Sequence, residues 1–313
     1  MREEFIYLSD IPDIENYTKK KLSNQDLVPL IEKYVSITTY FRIKNCASFL
    51  HFVADGKLEK HALYRLNGCG NRYCPMCNWR KSKKDGFMLN TISKYVTYQS
   101  EQNKGLIFLT LTIPNVKEDE LEDAIIEYNR AFKRLMQRKE VKRAVHGYVR
   151  KLEVTYNKVR DDYHPHFHVI IAVNKSYFTA PKLYITRDRW LKLWQESTRN
   201  PLITQVDVRG LGKDMGKAVK ELTKYVAKDS EYLSTQEVFD VFYDSLYNKR
   251  ITVYSGLFKD GKKLYEDGKL DHLKEKDNTV FEYEVFNAWT KKKEYKEVDA
   301  FPITQEVSDA VNN

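Results

Sequence analysis

Three histidines at alternate positions open the stretch HPHFHVII, residues 164–171. Alternate residues of a β-strand share one face, so His164, His166 and His168 point to the same side of a sheet. Two imidazoles one dipeptide apart, about 7 Å at the backbone, can converge on a single metal ion. The apolar residues 169–173 predict a central strand that is buried on both sides. The alternative is a set of structural histidines, hydrogen-bonded within the fold.

A carboxylate in the preceding strand pattern, YVRKLEVTYN at residues 148–157, extends the candidate metal site. Glu153 lies between two apolar residues, and burying a carboxylate is costly unless it is paired or bound to a metal. The Asp-Asp pair at 161–162 marks a turn, which predicts an antiparallel hairpin with Glu153 across from the histidines. Two histidines and one glutamate suit Mn²⁺, Mg²⁺ or Zn²⁺, and the ligand types do not choose between these ions. The alternative for Glu153 is an outward-facing residue in a surface salt bridge.

A second group of reactive residues lies in KAVKELTKYVAKD, residues 217–229, whose pattern predicts a helix. Glu221 and Tyr225 are four residues apart and therefore lie on one side of that helix. The basic residues on the same side are Lys217, Lys224 and Lys228, and the opposite, core-facing stripe contains Ala218, Val219, Leu222 and Val226. Tyr225 is thus positioned to face a phosphate group. The alternative is a boundary tyrosine hydrogen-bonded to Glu221, beside solvated lysines.

The four cysteines of the chain cluster in its first quarter. The spacing in CGNRYCPMC, with a distant fourth thiol, indicates a tetrahedral structural Zn²⁺ site formed by Cys46, Cys69, Cys74 and Cys77. His51 or His61 could replace one of these ligands, and the alternative is a group of buried free thiols. The basic run WRKSKK, Trp79–Lys84, that follows could bind DNA phosphates or form an ordinary solvated face.

Composition points to a polyanionic partner. The chain has 313 residues, a formal net charge of +9, 22 tyrosines and 15 phenylalanines. Excess Lys and Arg favour nucleic acid and exposed aromatic rings stack on unpaired bases, although the same composition suits a basic protein with a Tyr-rich core. The sequence contains neither an apolar run of about 20 residues nor a signal-peptide pattern, so we expect a cytosolic protein and no membrane partner. A reducing compartment also disfavours disulfides.

Hydrophobic periodicity supplies the elements that must position these residues. Strands are predicted at 106–115, 148–157, 164–173, 203–210 and 251–256, with a weaker signal at 279–286, and helices at 121–135, 187–198, 217–229 and 235–250. This mixture, with an adjacent antiparallel pair, predicts an α+β fold in which helices flank a central antiparallel sheet, with a Cys-rich metal-binding lobe. The expected segments are an N-terminal arm (1–40), the Cys-rich lobe (41–95), a core (96–256) and a C-terminal extension (257–313).

Three motifs carry a family resemblance. FLTLT at 108–112, HPHFHVII at 164–171 and KELTKYVAK at 220–228 occur in this order behind CGNRYCPMCNWRKS. Over about Phe41 to Ser255 the sequence resembles the rolling-circle plasmid replication initiators (Rep proteins) of the HUH endonuclease superfamily, in the single-tyrosine group of small Gram-positive plasmids. The resemblance implies an HUH endonuclease-like core at 96–256 and a bacterial cytoplasmic location.

The resemblance also assigns roles to individual residues. It implies that His166, His168 and Glu153 bind Mg²⁺ or Mn²⁺, and that Tyr225 is the nucleophile. Glu221 matches the acidic residue one turn before the tyrosine. His164, Lys224 and Lys228 remain as neighbours of the metal ligands or as DNA contacts.

The implied activity is nicking of one strand at the plasmid double-strand origin, with the single-stranded or hairpin nick site as substrate. The 5′ end would be held on Tyr225, leaving a 3′-hydroxyl primer, and a second cleavage would end the cycle. A host helicase is an expected partner on resemblance alone. Two other classes stay open: a zinc-stabilised DNA-binding protein without catalysis, and a His-His-Glu metallohydrolase that uses metal-bound water. The sequence leaves the origin sequence, the physiological metal and the oligomeric state open.

Overall fold

The computed structural model describes residues 14–99, 104–212, 215–224, 227–275 and 277–312. The chain forms two compact units. The first comprises Met1–Lys84 with Glu275–Asn313, and the second comprises Asp85–Lys274. Each unit has its own antiparallel sheet.

The helices and strands are numbered in chain order. The helices are α1 (Ile14–Ile31), α2 (Ile37–Lys44), α3 (Pro75–Lys94), α4 (Leu121–Gln137), α5 (Lys139–Ala144), α6 (Arg187–Thr198), α7 (Met215–Thr223), α8 (Asp229–Tyr232), α9 (Gln236–Leu246), α10 (Leu257–Glu266) and α11 (Gln305–Val311). The strands are β1 (Phe49–Asp55), β2 (His61–Leu66), β3 (Lys104–Leu111), β4 (Val145–Asn157), β5 (Asp162–Asn174), β6 (Val206–Gly210), β7 (Thr252–Gly256), β8 (Phe281–Trp289) and β9 (Tyr295–Pro302).

The sheet of the first unit joins the two ends of the chain. Its strand order is β2-β1-β8-β9, so that β8 pairs with β1 directly. Its small apolar cluster contains Val53, Ala62, Phe281, Val307 and Val311. The sequence predicts a single C-terminal extension at residues 257–313. In the structure this stretch contributes α10 to the second unit and β8, β9 and α11 to the first.

The five-stranded sheet of the second unit places the histidine strand at its centre. The strand order is β6-β3-β5-β4-β7, and all the pairs are antiparallel. Both faces of β5 are covered beyond the histidines, since residues 167–173 are all buried. The predicted central strand and the α+β class are confirmed.

Helices cover the two faces of this sheet separately. On one face, Phe132 of α4 packs edge-on against Phe167, with ring centroids 5.7 Å apart. On the other, Val219 and Leu222 of α7 belong to one buried cluster with Ile170. The even-numbered residues of β5, including the histidines, therefore lie on the α7 side, and α4 lies on the opposite side.

The register of the β4–β5 hairpin is set locally by its turn. Asn157 Oδ1 accepts hydrogen bonds from the backbone N–H groups of Val159 and Arg160, both at 3.0 Å. Asp161 adopts a left-handed conformation with φ +49°, which Asp tolerates better than most residues. The register pairs Glu153 with His166 and Lys151 with His168. The predicted hairpin is confirmed.

The predicted helix over residues 217–229 differs most from the structure in its extent. The helix expected over 217–229 ends at Thr223, and a separate short helix, α8, begins at Asp229. The carbonyl of Lys224 accepts a hydrogen bond from Lys151 Nζ of the neighbouring sheet, while Lys228 has extended backbone angles. This tertiary contact satisfies a carbonyl that a continued helix would have used. Throughout the described ranges, no helix combines the length and apolarity that crossing a membrane requires.

Candidate metal centres and the site around them

One donor group comes from the β4–β5 hairpin. Glu153 Oε2 lies 3.0 Å from His168 Nε2 and 3.5 Å from His166 Nε2, and the three donor atoms lie within 4.8 Å of one another. Donor atoms held about 2.1 Å from one ion are themselves about 3.0–3.5 Å apart. The predicted trio therefore converges with the spacing that a single divalent cation requires.

The electrostatics of this group favour an ionised carboxylate. Burial raises the pKa of Glu153, but hydrogen bonds and positive charge from His166 and His168 outweigh burial and hold that pKa below its ordinary value. A carboxylate that remains anionic and two imidazole nitrogens form a donor set for borderline divalent cations.

The outer nitrogen of His168 faces residues from two other elements. Its Nδ1 lies 3.3 Å from Thr110 Oγ1 on β3 and 3.5 Å from Glu221 Oε1 on α7. Arg209 of β6 holds the other oxygen of Glu221 at 2.8 Å, and its guanidinium lies 4.7 Å from the centre of the Phe108 ring. An imidazole that binds an ion through Nε2 must carry its proton on Nδ1, where the oxygens of Thr110 and Glu221 are placed to accept it.

Sequence reasoning missed Arg209 and Thr110. Both occupy strand positions on the histidine face, since Thr110 pairs with His168 and Arg209 pairs with Phe108. The alternating pattern of VDVRG, with Asp207 and Arg209 on one face, was the available signal. The partner of each side chain, however, comes from another element.

His164 lies beside the donor group without joining it. Its ring stacks on His166 with centroids 5.2 Å apart, and its backbone carbonyl lies 3.2 Å from His166 Nδ1. Burial, assisted by the positive charge of His166, lowers the pKa of His164. In the described part of the chain, the donor group on this hairpin consists of Glu153, His166 and His168.

Tyr225, the predicted nucleophile, lies outside the described residues. The chain on both sides of it is tied to β4. The Lys224 carbonyl accepts from Lys151 Nζ, opposite His168, and Glu231 accepts from the backbone N–H of Tyr156 at 3.0 Å. Lys228 forms an ion pair with Glu231 at 3.2 Å, and Lys224 has an exposed side chain.

The second donor group is the cysteine cluster of the first unit. Cys46 Sγ lies 3.5 Å from Cys77 Sγ and 3.6 Å from Cys74 Sγ, and Cys69 Sγ lies 3.6 Å from Cys77 Sγ. All four thiols are free. Four sulfurs about 2.3 Å from a central Zn²⁺ are about 3.8 Å apart, whereas disulfide sulfurs are bonded at about 2.05 Å. The spacing fits a tetrahedral ion.

The surroundings of the cluster also fit a negatively charged centre. Backbone N–H groups of Gly70 and Cys69 donate to the sulfurs of Cys77 and Cys46, at 3.3 Å and 3.4 Å. Hydrogen bonds from the other thiols lower the pKa of Cys77. Lys21 is 2% exposed, and its ammonium donates to the carbonyls of Lys44 and Cys46.

Neither histidine offered as a substitute ligand belongs to the cysteine cluster. His51 Nε2 lies 2.8 Å from Glu284 Oε2, and the imidazole stacks on Phe286. His61 occupies the start of β2, paired with Ala54. Cys46, the distant fourth thiol, therefore completes the group. The basic run Trp79–Lys84 lies within α3.

Comparison with known proteins supports the reading of these motifs. Residues 60–296 match the protein family described as "Replication protein". The chain belongs to this replication protein family. The resemblance to plasmid replication initiators is thereby confirmed at the level of the family, and membership supports a role in plasmid replication initiation with origin DNA as the partner.

Several relatives resemble the chain over most of its length. Protein rep of Staphylococcus aureus is 48% identical over 221 residues, which cover 71% of this chain and 96% of the relative. Protein rep of Streptococcus pneumoniae serotype 2 (strain D39 / NCTC 7466) is 35% identical over 257 residues, or 79% of each chain. Protein rep of Bacillus amyloliquefaciens is 34% identical over 279 residues, covering 79% of this chain and 81% of the relative. No solved structure matches the chain significantly.

Proposed function

We propose that this chain is a metal-dependent DNA endonuclease and strand transferase that initiates rolling-circle replication. It nicks one strand at the plasmid double-strand origin, at a single-stranded or hairpin nick site. The observation that carries the proposal is the convergence of Glu153, His166 and His168 at one end of the central strand pair. The anchoring of Lys224 beside His168 supports an attacking residue at position 225.

The donor set fits Mg²⁺ or Mn²⁺ at the hairpin, and the cysteine cluster fits a separate structural Zn²⁺. When bound, the divalent cation polarises the scissile phosphate and offsets the repulsion between its oxygens and the incoming nucleophile. Glu153, His166 and His168 would hold that ion. Thr110 and Glu221 fix the orientation of His168 through its outer nitrogen.

Tyr225 attacks the phosphorus of the scissile phosphodiester through its phenolic oxygen. The bond from phosphorus to the 3′ oxygen breaks, the 3′ oxygen takes up a proton, and the 5′ phosphate remains on Tyr225. A tyrosine hydroxyl, with an ordinary pKa of about 10, must lose its proton to attack. Positive charge from Lys224 or Lys228 would favour the phenolate, as would a cation held by the donor group. The free 3′-hydroxyl then serves as the primer, and the host helicase recruited at the origin opens the duplex.

Termination requires a second cleavage while Tyr225 is occupied. A carboxylate near the site can act as general base on water or on an incoming hydroxyl, and Glu221 is the candidate. Its carboxylate contacts Arg209 and His168, so release from Arg209 would free one oxygen for this role. At a Mn²⁺ concentration that saturates the site, we expect Glu221→Ala to retain the first nick and to lose release of completed circles. Normal release of circles by this variant would assign termination to another group.

Trapping of a covalent adduct tests the central step. The full chain is incubated with Mn²⁺ and a 5′- or 3′-labelled origin oligonucleotide and then analysed on a denaturing gel. We expect the 3′ label to migrate with the protein, because it lies on the fragment whose 5′ phosphate is joined to Tyr225, and the 5′ label to remain on the free fragment that ends in the 3′-hydroxyl. Tyr225→Phe should abolish the band that migrates with the protein. Tyr247→Phe, at an exposed tyrosine at the end of α9, is the matched control.

The outcomes separate the three classes of protein. Cleavage without an adduct, retained in Tyr225→Phe, would indicate a metallohydrolase that uses water. Binding without cleavage would indicate a zinc-stabilised DNA-binding protein, the alternative that the cysteine cluster supports. An adduct that persists in Tyr225→Phe would move the nucleophile to another tyrosine.

A further inference from the structure

Positive charge is concentrated in two stretches of the second unit. Residues 130–144 and 182–199 together contain twelve Lys and Arg against three Asp and Glu. The complete chain contains 53 against 44, so these stretches carry a net charge of +9, the same as the whole protein. In the remainder of the chain, Lys and Arg together equal Asp and Glu in number. The attraction of the protein for a polyanion therefore originates largely from this region.

These stretches form one surface on the side of the sheet opposite to the histidines. Residues 130–144 cover the second half of α4 and all of α5, and residues 182–199 cover α6 and the turn before it. The helices are joined by contacts such as Arg134 Nε to the Ser197 carbonyl, at 2.7 Å. We call these residues the α4–α6 surface.

A cavity of about 330 Å³ opens within the α4–α6 surface. It is lined by Arg138, Lys139, Glu140, Arg143, Arg189 and Leu193. Four of these side chains are cationic and one is anionic, so the cavity has an excess of positive charge even though it contains a carboxylate. An open cavity with several convergent cationic groups suits a phosphate-bearing ligand.

The arginines of the cavity are held in place before any ligand binds. Arg189 Nε donates to both oxygens of Glu140, at 2.9 Å and 3.0 Å, and Arg138 Nη1 lies 3.3 Å from Glu196 Oε2. Arg143 donates to the carbonyl of Lys182. Guanidinium groups fixed in this way lose less conformational entropy when a phosphate binds.

We propose that the α4–α6 surface binds the phosphate backbone of duplex DNA that flanks the nick site. The inference rests on the proposed function, and it names the segment that holds the origin while the opposite face of the sheet carries out the chemistry. A duplex is favoured over a single strand because no aromatic ring lines the cavity, and unpaired bases are held mainly by aromatic stacking. Lys and Arg contacts to phosphate position a duplex without reading its sequence.

Lys139 and Lys142 allow a test that spares the fold. Both side chains are exposed on α5, and replacing Lys by Gln preserves helix propensity while removing one charge per site. The arginines are unsuitable because their ion pairs and hydrogen bonds connect α5 and its flanking residues to α6 and the turn before it. The matched control is Lys259→Gln/Lys263→Gln on α10, two exposed lysines that lie outside both sites and remove the same charge.

Fluorescence anisotropy with a labelled 20-base-pair duplex of arbitrary sequence, measured from 0.1 M to 1 M salt, gives the affinity and its salt slope. Each lost phosphate contact lowers the slope of log K against log[salt] by about 0.9. We expect Lys139→Gln/Lys142→Gln to lower the slope by about two and to weaken binding roughly 60-fold at 0.1 M salt, with convergence near 1 M. The control should match wild type.

Nicking of a short single-stranded oligonucleotide is measured in parallel and should be unchanged in Lys139→Gln/Lys142→Gln. If the wild-type protein does not nick this oligonucleotide, the proposed function is overturned. The measurement of duplex binding does not depend on that result. If Lys139→Gln/Lys142→Gln binds the duplex with the affinity and salt slope of the wild type, the α4–α6 surface is not a DNA site. That result would favour an acidic protein as its partner. If the control variant loses the same amount of duplex affinity, the loss is due to the lower net charge of the protein. That result would also overturn the proposal.

Discussion

The Glu221→Gln substitution tests whether the contact between α7 and the hairpin helps to hold the metal. Glu221 Oε1 lies 3.5 Å from the outer nitrogen of His168, whose inner nitrogen faces Glu153. A carboxylate in this position fixes the imidazole ring and makes it a better donor. The amide keeps the shape of the side chain and removes its charge. We therefore expect weaker binding of Mn²⁺, whatever effect the change has on DNA cleavage.

The size of the effect follows from the geometry. Removing a hydrogen-bonded partner of a ligating histidine typically weakens metal binding about 10- to 100-fold. Here the separation exceeds an ordinary hydrogen bond, and Thr110 shares the same nitrogen at 3.3 Å. The lower end of the range applies, so we expect a loss of about tenfold, or about 1.4 kcal/mol.

Isothermal titration of Mn²⁺ into the zinc-loaded full chain measures this change. Asp207→Asn is the matched control, because Asp207 lies 3.3 Å from Arg209 and belongs to the same strand face, yet it contacts Arg209 rather than His168. Unchanged Mn²⁺ affinity in Glu221→Gln would refute the orienting role. An equal loss in Asp207→Asn would attribute the effect to general electrostatics instead.

The remaining predictions concern the cysteine cluster and Glu140 of the α4–α6 surface. We expect Cys46→Ser to remove zinc and to destabilise the chain by on the order of 3 kcal/mol, or roughly 6–12 °C in Tm. The control variant His166→Ala/His168→Ala should retain zinc. Metal analysis measures the zinc content and calorimetry measures Tm, and zinc retained in Cys46→Ser would contradict the site. Hydrogen bonds from Arg189 hold the pKa of Glu140 below its ordinary 4.5, so its stabilisation is present above pH 4.5 and is lost as the pH falls through the lower folded-state value. We therefore expect Glu140→Gln to lower the free energy of unfolding by about 0.5–1 kcal/mol at pH 7 and by almost nothing near pH 3, as measured by denaturant titration. The same variant should bind duplex DNA more tightly at pH 7. A loss of stability that is the same at both pH values would refute the pairing of Glu140 with Arg189.

The hairpin and its donor group follow from the sequence because their determinants are local. A period of two assigns His164, His166 and His168 to one face, and the turn after Asn157 sets the register that puts Glu153 opposite His166. Neither step needs information from the rest of the chain.

The remaining contacts depend on elements that are far apart in sequence. Lys21 reaches the carbonyl of Cys46, Thr110 of β3 reaches His168, and β8 pairs with β1 across most of the chain. Periodicity specifies which face a side chain occupies but not which element packs against it. The early end of α7 has the same origin, because the hydrogen bond from Lys151 to Lys224 belongs to tertiary structure.

The closeness of the metal donors along the chain affects the order in which the site is assembled during synthesis. Glu153 and His168 are separated by only 15 residues, and the strands that carry them are adjacent in sequence as well as in the sheet. As the polypeptide leaves the ribosome, all three donors emerge before α7 and the Tyr225 segment have been made. A nascent chain that has folded this hairpin can therefore hold the proposed ion well before the segment of the proposed nucleophile has been made.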